Sequence, residues 1–220
     1  MKLILDTADV EALKRLNNIL SLDGLTTNPT IITRSGKDFN VVINEIIDIL
    51  SPEQLLFIQV LATEVDDMVK EATYINNLRP NTYAKIPCSV NGLIAIKKCK
   101  ALGLKVLATA IYSPEQALMA AKNGADCLAP YVNRMCNNGD GIEAVKDLQK
   151  MLENYHLNAY ILAASFKNVN QVHELFKAGI EAVTLPVDVC ENLYLNPYTD
   201  AAIATFTSDW EKAYKRKSLI

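Results

Sequence analysis

Thr82-Tyr83-Ala84-Lys85-Ile86-Pro87-Cys88, followed by an amphipathic run over residues 90–102 and a stop at Gly103, is the unit from which the fold is read. Its first half is a short apolar segment of the kind that forms a buried parallel strand, and its second half is a helix closed by a left-handed glycine. The same unit recurs on both sides. Upstream, strand patterns cover residues 2–6, 24–28 and 55–61, with helical spacing over 8–20, 39–50 and 65–78, and Asp9 is positioned to cap the first helix. Downstream, strands are predicted over 105–111, 126–132, 159–164 and 182–185. The helices between them open at Ser113-Pro114-Glu115, after the turn 137–141, and at Val169, and close at Gly124, near Tyr155 and at Gly179.

Eight apolar strands, each followed by a helix, predict a parallel sheet covered by helices, and in this length a (β/α)8 TIM barrel. A doubly wound open sheet is the structural alternative, but no strand is followed by GxGxxG or GxxxxGK[ST]. With no linker or low-complexity stretch, residues 1–220 are read as a single α/β barrel domain with an extended C-terminal helix over about 199–217.

The composition narrows the function. With 22 basic and 25 acidic residues the formal charge is -3, which offers no basic surplus for nucleic acid. The N-terminus resembles neither a signal peptide nor a membrane span, so a cytoplasmic protein acting on a small molecule is expected. Five cysteines without CxxC spacing and two histidines make a zinc site or a disulfide framework improbable, and no metal or cofactor is expected.

In a barrel of this type the site lies at the carboxyl ends of the strands. These ends are polar: Asp6, Thr26-Thr27-Asn28, Gln59, Lys85, Thr109, Tyr131 with Asn133 and Arg134, Ser165 with Lys167, and Asp188 beyond the eighth strand. Each has a structural reading as a helix cap, a β-former or a surface cation. Lys85 itself reads as a packed stem whose head reaches water. Together they put an acid, an amine, a phenol, amides and two further cations on one rim, which suits carbonyl chemistry on a phosphorylated polyol. A lysine desolvated in a strand loses part of its proton affinity and becomes a nucleophile that can form a Schiff base.

Leu5-Asp6-Thr7-Ala8-Asp9, residues 26–32 (TTNPTII), Lys85-Ile86-Pro87, residues 129–134 (APYVNR) and Ala163-Ala164-Ser165-Phe166-Lys167 resemble the short bacterial transaldolase and fructose-6-phosphate aldolase family over nearly the whole chain. The resemblance implies a barrel, a class I Schiff-base mechanism on Lys85 without metal, and homo-oligomers, decamers by family, in which the C-terminal helix packs on a neighbouring subunit. Gln59, Tyr131 and Ala129 are similar to the aldolase side of that family, where transaldolases carry glutamate and phenylalanine. It further implies catalytic roles for Asp6, Gln59, Thr109 and Tyr131, and substrate contacts for Thr26, Asn28, Arg134, Ser165 and Lys167. The expected reaction is cleavage of fructose 6-phosphate to dihydroxyacetone and glyceraldehyde 3-phosphate, with transaldolase, transferring dihydroxyacetone between sugar phosphates in the pentose phosphate pathway, as the alternative. A barrel that only binds sugar phosphates, or an isomerase using Asp6 as base, remains open on the residues alone.

Overall fold

A computed structural model describes residues 1–220. Its strands are β1 (Lys2–Asp6), β2 (Gly24–Thr26), β3 (Leu55–Gln59), β4 (Thr82–Pro87), β5 (Val106–Ile111), β6 (Cys127–Pro130), β7 (Tyr160–Ala163) and β8 (Ala182–Leu185). They join in sequence order, and β8 pairs with β1 in parallel, so the sheet closes on itself as a barrel. That closure excludes the open sheet.

The helices are α1 (Val10–Ile19), α2 (Pro29–Arg34), α3 (Phe39–Ile49), α4 (Val65–Asn76), α5 (Val90–Ala101), α6 (Pro114–Lys122), α7 (Val132–Cys136), α8 (Gly141–Asn154), α9 (Val169–Lys177), α10 (Val187–Asn192) and α11 (Pro197–Tyr214). Their starts follow the expected capping chemistry. Asp9 accepts from the N–H groups of Glu11 and Ala12, and Ser113 from that of Gln116 with Pro114 at the first position. At Gly103 the chain turns at φ +74°, as the end of α5 requires. Gly92 serves close approach instead, because a Cβ there would lie 1.8 Å from the Pro87 carbonyl oxygen and push α5 off the end of β4.

Several strands are shorter than expected, the second ending at Thr26 and the seventh running only from Tyr160 to Ala163, and in two of them the structure shows what ends the strand. The sixth, expected over 126–132, ends at Pro130. Tyr131 keeps one parallel bridge to Ala164, and the chain then enters α7, whose first N–H groups bond the carbonyls of Ala164 (2.9 Å) and Ser165 (3.1 Å). The third, expected over 55–61, stops at Gln59, because the N–H groups of Leu61 and Ala62 donate to the Glu71 carboxylate at 2.6 and 3.0 Å instead of to a strand.

Strand alternation separates two cores. A cluster of 45 buried residues fills the space between barrel and helices, while Ile4, Phe57, Leu107, Cys127, Ala129, Leu162, Ala164 and Ala182 fill the barrel interior. The interior parity fixes what comes next along each strand. Two residues beyond Ile4, Phe57, Tyr83, Leu107 and Ala129 stand Asp6, Gln59, Lys85, Thr109 and Tyr131, all on the inward face at the carboxyl end.

Candidate active site

Lys85 is buried, 6% exposed, and its Nζ donates to the main-chain oxygen of Thr27 at 2.5 Å. The reading of a lysine whose head reaches water is therefore set aside. Burial lowers its pKa from the ordinary lysine value, and the Asp6 carboxylate opposes part of that shift. Lys85 lines a cavity of about 120 Å³, well above the ~10–15 Å³ that a single water needs.

That cavity gathers most of the residues expected from sequence: Asp6, Thr26, Asn28, Thr109, Tyr131, Arg134 and Ser165 line it together with Lys85. Thr26 Oγ1 donates to Asp6 Oδ1 at 2.7 Å and shares a 2.6 Å hydrogen bond with Thr184 Oγ1. Asn28 uses its side-chain oxygen to cap α2 through the Ile31 N–H at 3.0 Å, which leaves its amide NH2 for the cavity. On the opposite side Tyr131 and Thr109 share a hydrogen bond of 3.3 Å between their hydroxyls. The Arg134 guanidinium stands 4.7 Å above the Tyr131 ring. Ser165 adopts φ +62°, a left-handed conformation that few non-glycine residues hold without a local reason.

Gln59 and Lys167 belong to an outer layer. They line the broader groove of about 1160 Å³ at the barrel mouth, which shares Asp6, Asn28, Tyr131, Arg134 and Ser165 with the inner cavity. Gln59 is the register partner of Lys85 across β3 and β4. Asp188 lies in the first turn of α10 and lines neither space. No three His, Cys, Asp or Glu side chains converge on a point where a metal could sit, and no helix is long and apolar enough to cross a membrane.

Sequence reasoning missed three contributors. Thr184 is legible by parity, two residues beyond the inward Ala182. The Thr27 carbonyl carries no sequence signal, since any residue offers one. Tyr112, whose hydroxyl accepts from Arg134 Nη1 at 2.8 Å, was hidden by a break in alternation described below.

A lysine desolvated at the carboxyl end of a barrel strand, facing a carboxylate and a phenol, has the elements of carbonyl chemistry by covalent attachment to an amine. The model of the family described as transaldolase/fructose-6-phosphate aldolase matches residues 3–218. The chain belongs to the transaldolase/fructose-6-phosphate aldolase family. Membership at this coverage makes it an enzyme of the aldolase or transaldolase type. A solved structure described as "Native KDPGal structure" superposes with a TM-score of 0.58 at 16% identity, covering 83% of this chain and 80% of that one. At that identity the likeness speaks for the barrel fold alone. Across the family match, the motif residues Asp6, Asn28, Lys85, Tyr131 and Arg134 all face one cavity.

Proposed function

We propose that this chain is a Schiff-base aldolase that cleaves fructose 6-phosphate to dihydroxyacetone and glyceraldehyde 3-phosphate and catalyses the reverse addition. The Lys85 amine attacks the C2 ketone, and loss of water gives a protonated imine. Asp6 takes the proton of the C4 hydroxyl as the C3–C4 bond breaks. The electron pair flows into the imine to form an enamine, and glyceraldehyde 3-phosphate leaves. The enamine is protonated at C3, water adds to the imine carbon, and dihydroxyacetone departs, returning the amine of Lys85.

Asn28 and Thr26 are assigned to the dihydroxyacetone end, Thr26 through its bond to Asp6. Arg134 with Ser165 takes the phosphate, and Lys167, farther out in the groove, offers a second cation for it. The observation that carries the aldolase reading over transaldolase is the Tyr131 hydroxyl in the Lys85 cavity, hydrogen-bonded to Thr109. Hydrolysis of the enamine needs a proton donor and a water from solvent, and a phenol supplies the proton where a phenyl ring does not. Gln59 at the rim, in place of a carboxylate, agrees with it.

Assembly belongs to the same reading. The 18-residue α11 contains no buried residue, and Tyr198, Ile203, Phe206 and Tyr214 are 84%, 56%, 70% and 61% exposed. Such a helix docks on a neighbouring copy in a homo-oligomer.

The deciding experiment is a paired assay. Fructose 6-phosphate alone yields glyceraldehyde 3-phosphate and free dihydroxyacetone, and added erythrose 4-phosphate yields little sedoheptulose 7-phosphate. Faster formation of sedoheptulose 7-phosphate than of free dihydroxyacetone makes the enzyme a transaldolase, and interconversion of aldose and ketose phosphates without a released fragment makes it an isomerase.

A further inference from the structure

β5 changes face at its end. Val106 and Ala108 pack into the outer, helix-facing core, while Leu107 and Thr109 face the interior. Strict alternation sends Ile111 inward and Tyr112 outward. The opposite is found: Ile111 is fully buried in the outer core, and Tyr112, 46% exposed, turns toward Tyr131 and Arg134. The cause is Ala110, at φ +55°, where the pairing of β5 with β6 slips by one residue between Ala108 and Ile111. A bulge of this kind re-aims the side chains that follow it.

The re-aimed tyrosine makes two contacts in the site. Its hydroxyl accepts from Arg134 Nη1 at 2.8 Å, and its ring meets that of Tyr131 edge-on, 5.6 Å between centroids at 74°. Its own backbone is fixed, since the Tyr112 N–H donates to Gln116 Oε1 at 2.9 Å on the first turn of α6. Arg134 is exposed and long, so an anion binding to it must first order it. One face of its guanidinium lies against Tyr131, and Tyr112 holds one of its nitrogens.

We propose that Tyr112 is a positioning residue that presets the Arg134 guanidinium for the phosphate of the substrate, an inference that rests on reading Arg134 as the phosphate contact. Guanidinium nitrogens not engaged by Tyr112 remain for the anion, and the ring of Tyr112 keeps the Tyr131 ring, on which Arg134 stacks, in one orientation.

The test uses Tyr112→Phe, which keeps the ring and removes the acceptor. Loss of one hydrogen bond predicts a dissociation constant for inorganic phosphate about 3- to 10-fold weaker by calorimetry on the full chain. In turnover, KM for fructose 6-phosphate rises by about the same factor at unchanged kcat, whereas addition of dihydroxyacetone to unphosphorylated glyceraldehyde is unaffected. Wild-type phosphate affinity in Tyr112→Phe, with affinity lost in Arg134→Ala, overturns the role of Tyr112. Wild-type affinity in both variants overturns the assignment of Arg134 and the proposal with it. An equal slowing of phosphorylated and unphosphorylated reactions overturns it as well, because a structural defect does not distinguish them. The phosphate measurement needs no turnover, so absence of cleavage by the wild type counts against the aldolase reading alone.

Discussion

The Nζ of Lys85 donates to the main-chain oxygen of Thr27 at 2.5 Å across 58 residues of sequence, so the one buried amine of the barrel is held by the end of β2. Thr27 is held in turn, its N–H bonding the Phe57 carbonyl at 2.9 Å. A backbone carbonyl accepts a hydrogen bond but does not neutralise charge, so it orients Nζ without abolishing the cost of ionising it in a dry site.

Stability should record that cost. A lysine whose folded pKa lies below its unfolded value binds fewer protons in the fold than in the unfolded chain over the interval between them, so stability climbs with pH there. Relative to Lys85→Met, wild type should gain stability as pH rises from the lowered folded pKa to the unfolded value of about 10.4, at about 1.4 kcal/mol per pH unit, and nothing beyond. Urea titrations of both proteins at stepped pH measure the difference, in which the other titrations, such as that of Tyr83, which burial pushes up to about 12, are common to both. A difference that stays flat refutes the depressed amine.

Covalent trapping asks whether the same amine reacts. Borohydride with dihydroxyacetone should give a stable adduct on the peptide bearing Lys85, seen by mass spectrometry, and none in Lys85→Ala. An adduct on another lysine removes the assignment.

Asp6 holds the pKa of Lys85 up against burial, so Asp6→Asn should lower it further. The acid limb of the pH profile for borohydride inactivation should then move to lower pH, even as cleavage of fructose 6-phosphate falls by about 10² or more through loss of the base. A limb that moves to higher pH contradicts the electrostatic coupling.

Tyr131→Phe should slow release of free dihydroxyacetone by about 10²-fold if the phenol is the proton donor. Gln59→Glu should raise the share of sedoheptulose 7-phosphate when erythrose 4-phosphate is present. Product ratios from one assay read both, and an unchanged ratio in either variant removes that residue from the choice between hydrolysis and transfer.

At Ala110 the left-handed backbone costs an alanine roughly 1 kcal/mol. Ala110→Gly should keep or slightly raise the thermal midpoint, while Ala110→Val should lose about 1–3 kcal/mol, since a β-branched residue is a rare occupant of that region. Equal stability of the two variants excludes the strained bulge.

Deleting residues from Ser208 onward removes the last two turns of α11, residues 208–214, and should lower the mass seen by light scattering. The barrel itself should stay folded by circular dichroism, because α11 contains no buried residue. An unchanged mass rejects docking through this helix.

Much of this molecule is written in local pattern. Apolar runs such as Val106–Ile111, stops such as Gly103 and caps such as Asp9 and Ser113 each act within a few residues, so a linear reading finds eight strands and their main helices. Parity along a strand then points Asp6, Lys85 and Thr109 to one rim. Other features depend on partners far along the chain. The end of β6 at Pro130 is set by the carbonyls of Ala164 and Ser165, which draw residues 132 and 133 into α7, and the end of β3 by the Glu71 carboxylate on α4. Tyr112 escaped for the same reason: its direction is fixed by the slip of β5 against β6 at Ala110, and alternation read from sequence has no knowledge of a neighbour's register. The barrel and the chemical groups on its rim are legible in the chain, since hydrophobic period and capping are local. That Lys85 is dry, that Thr27 orients it and that Tyr112 reaches Arg134 emerge with the fold, because desolvation and hydrogen-bond partnership arise when distant segments close the same volume.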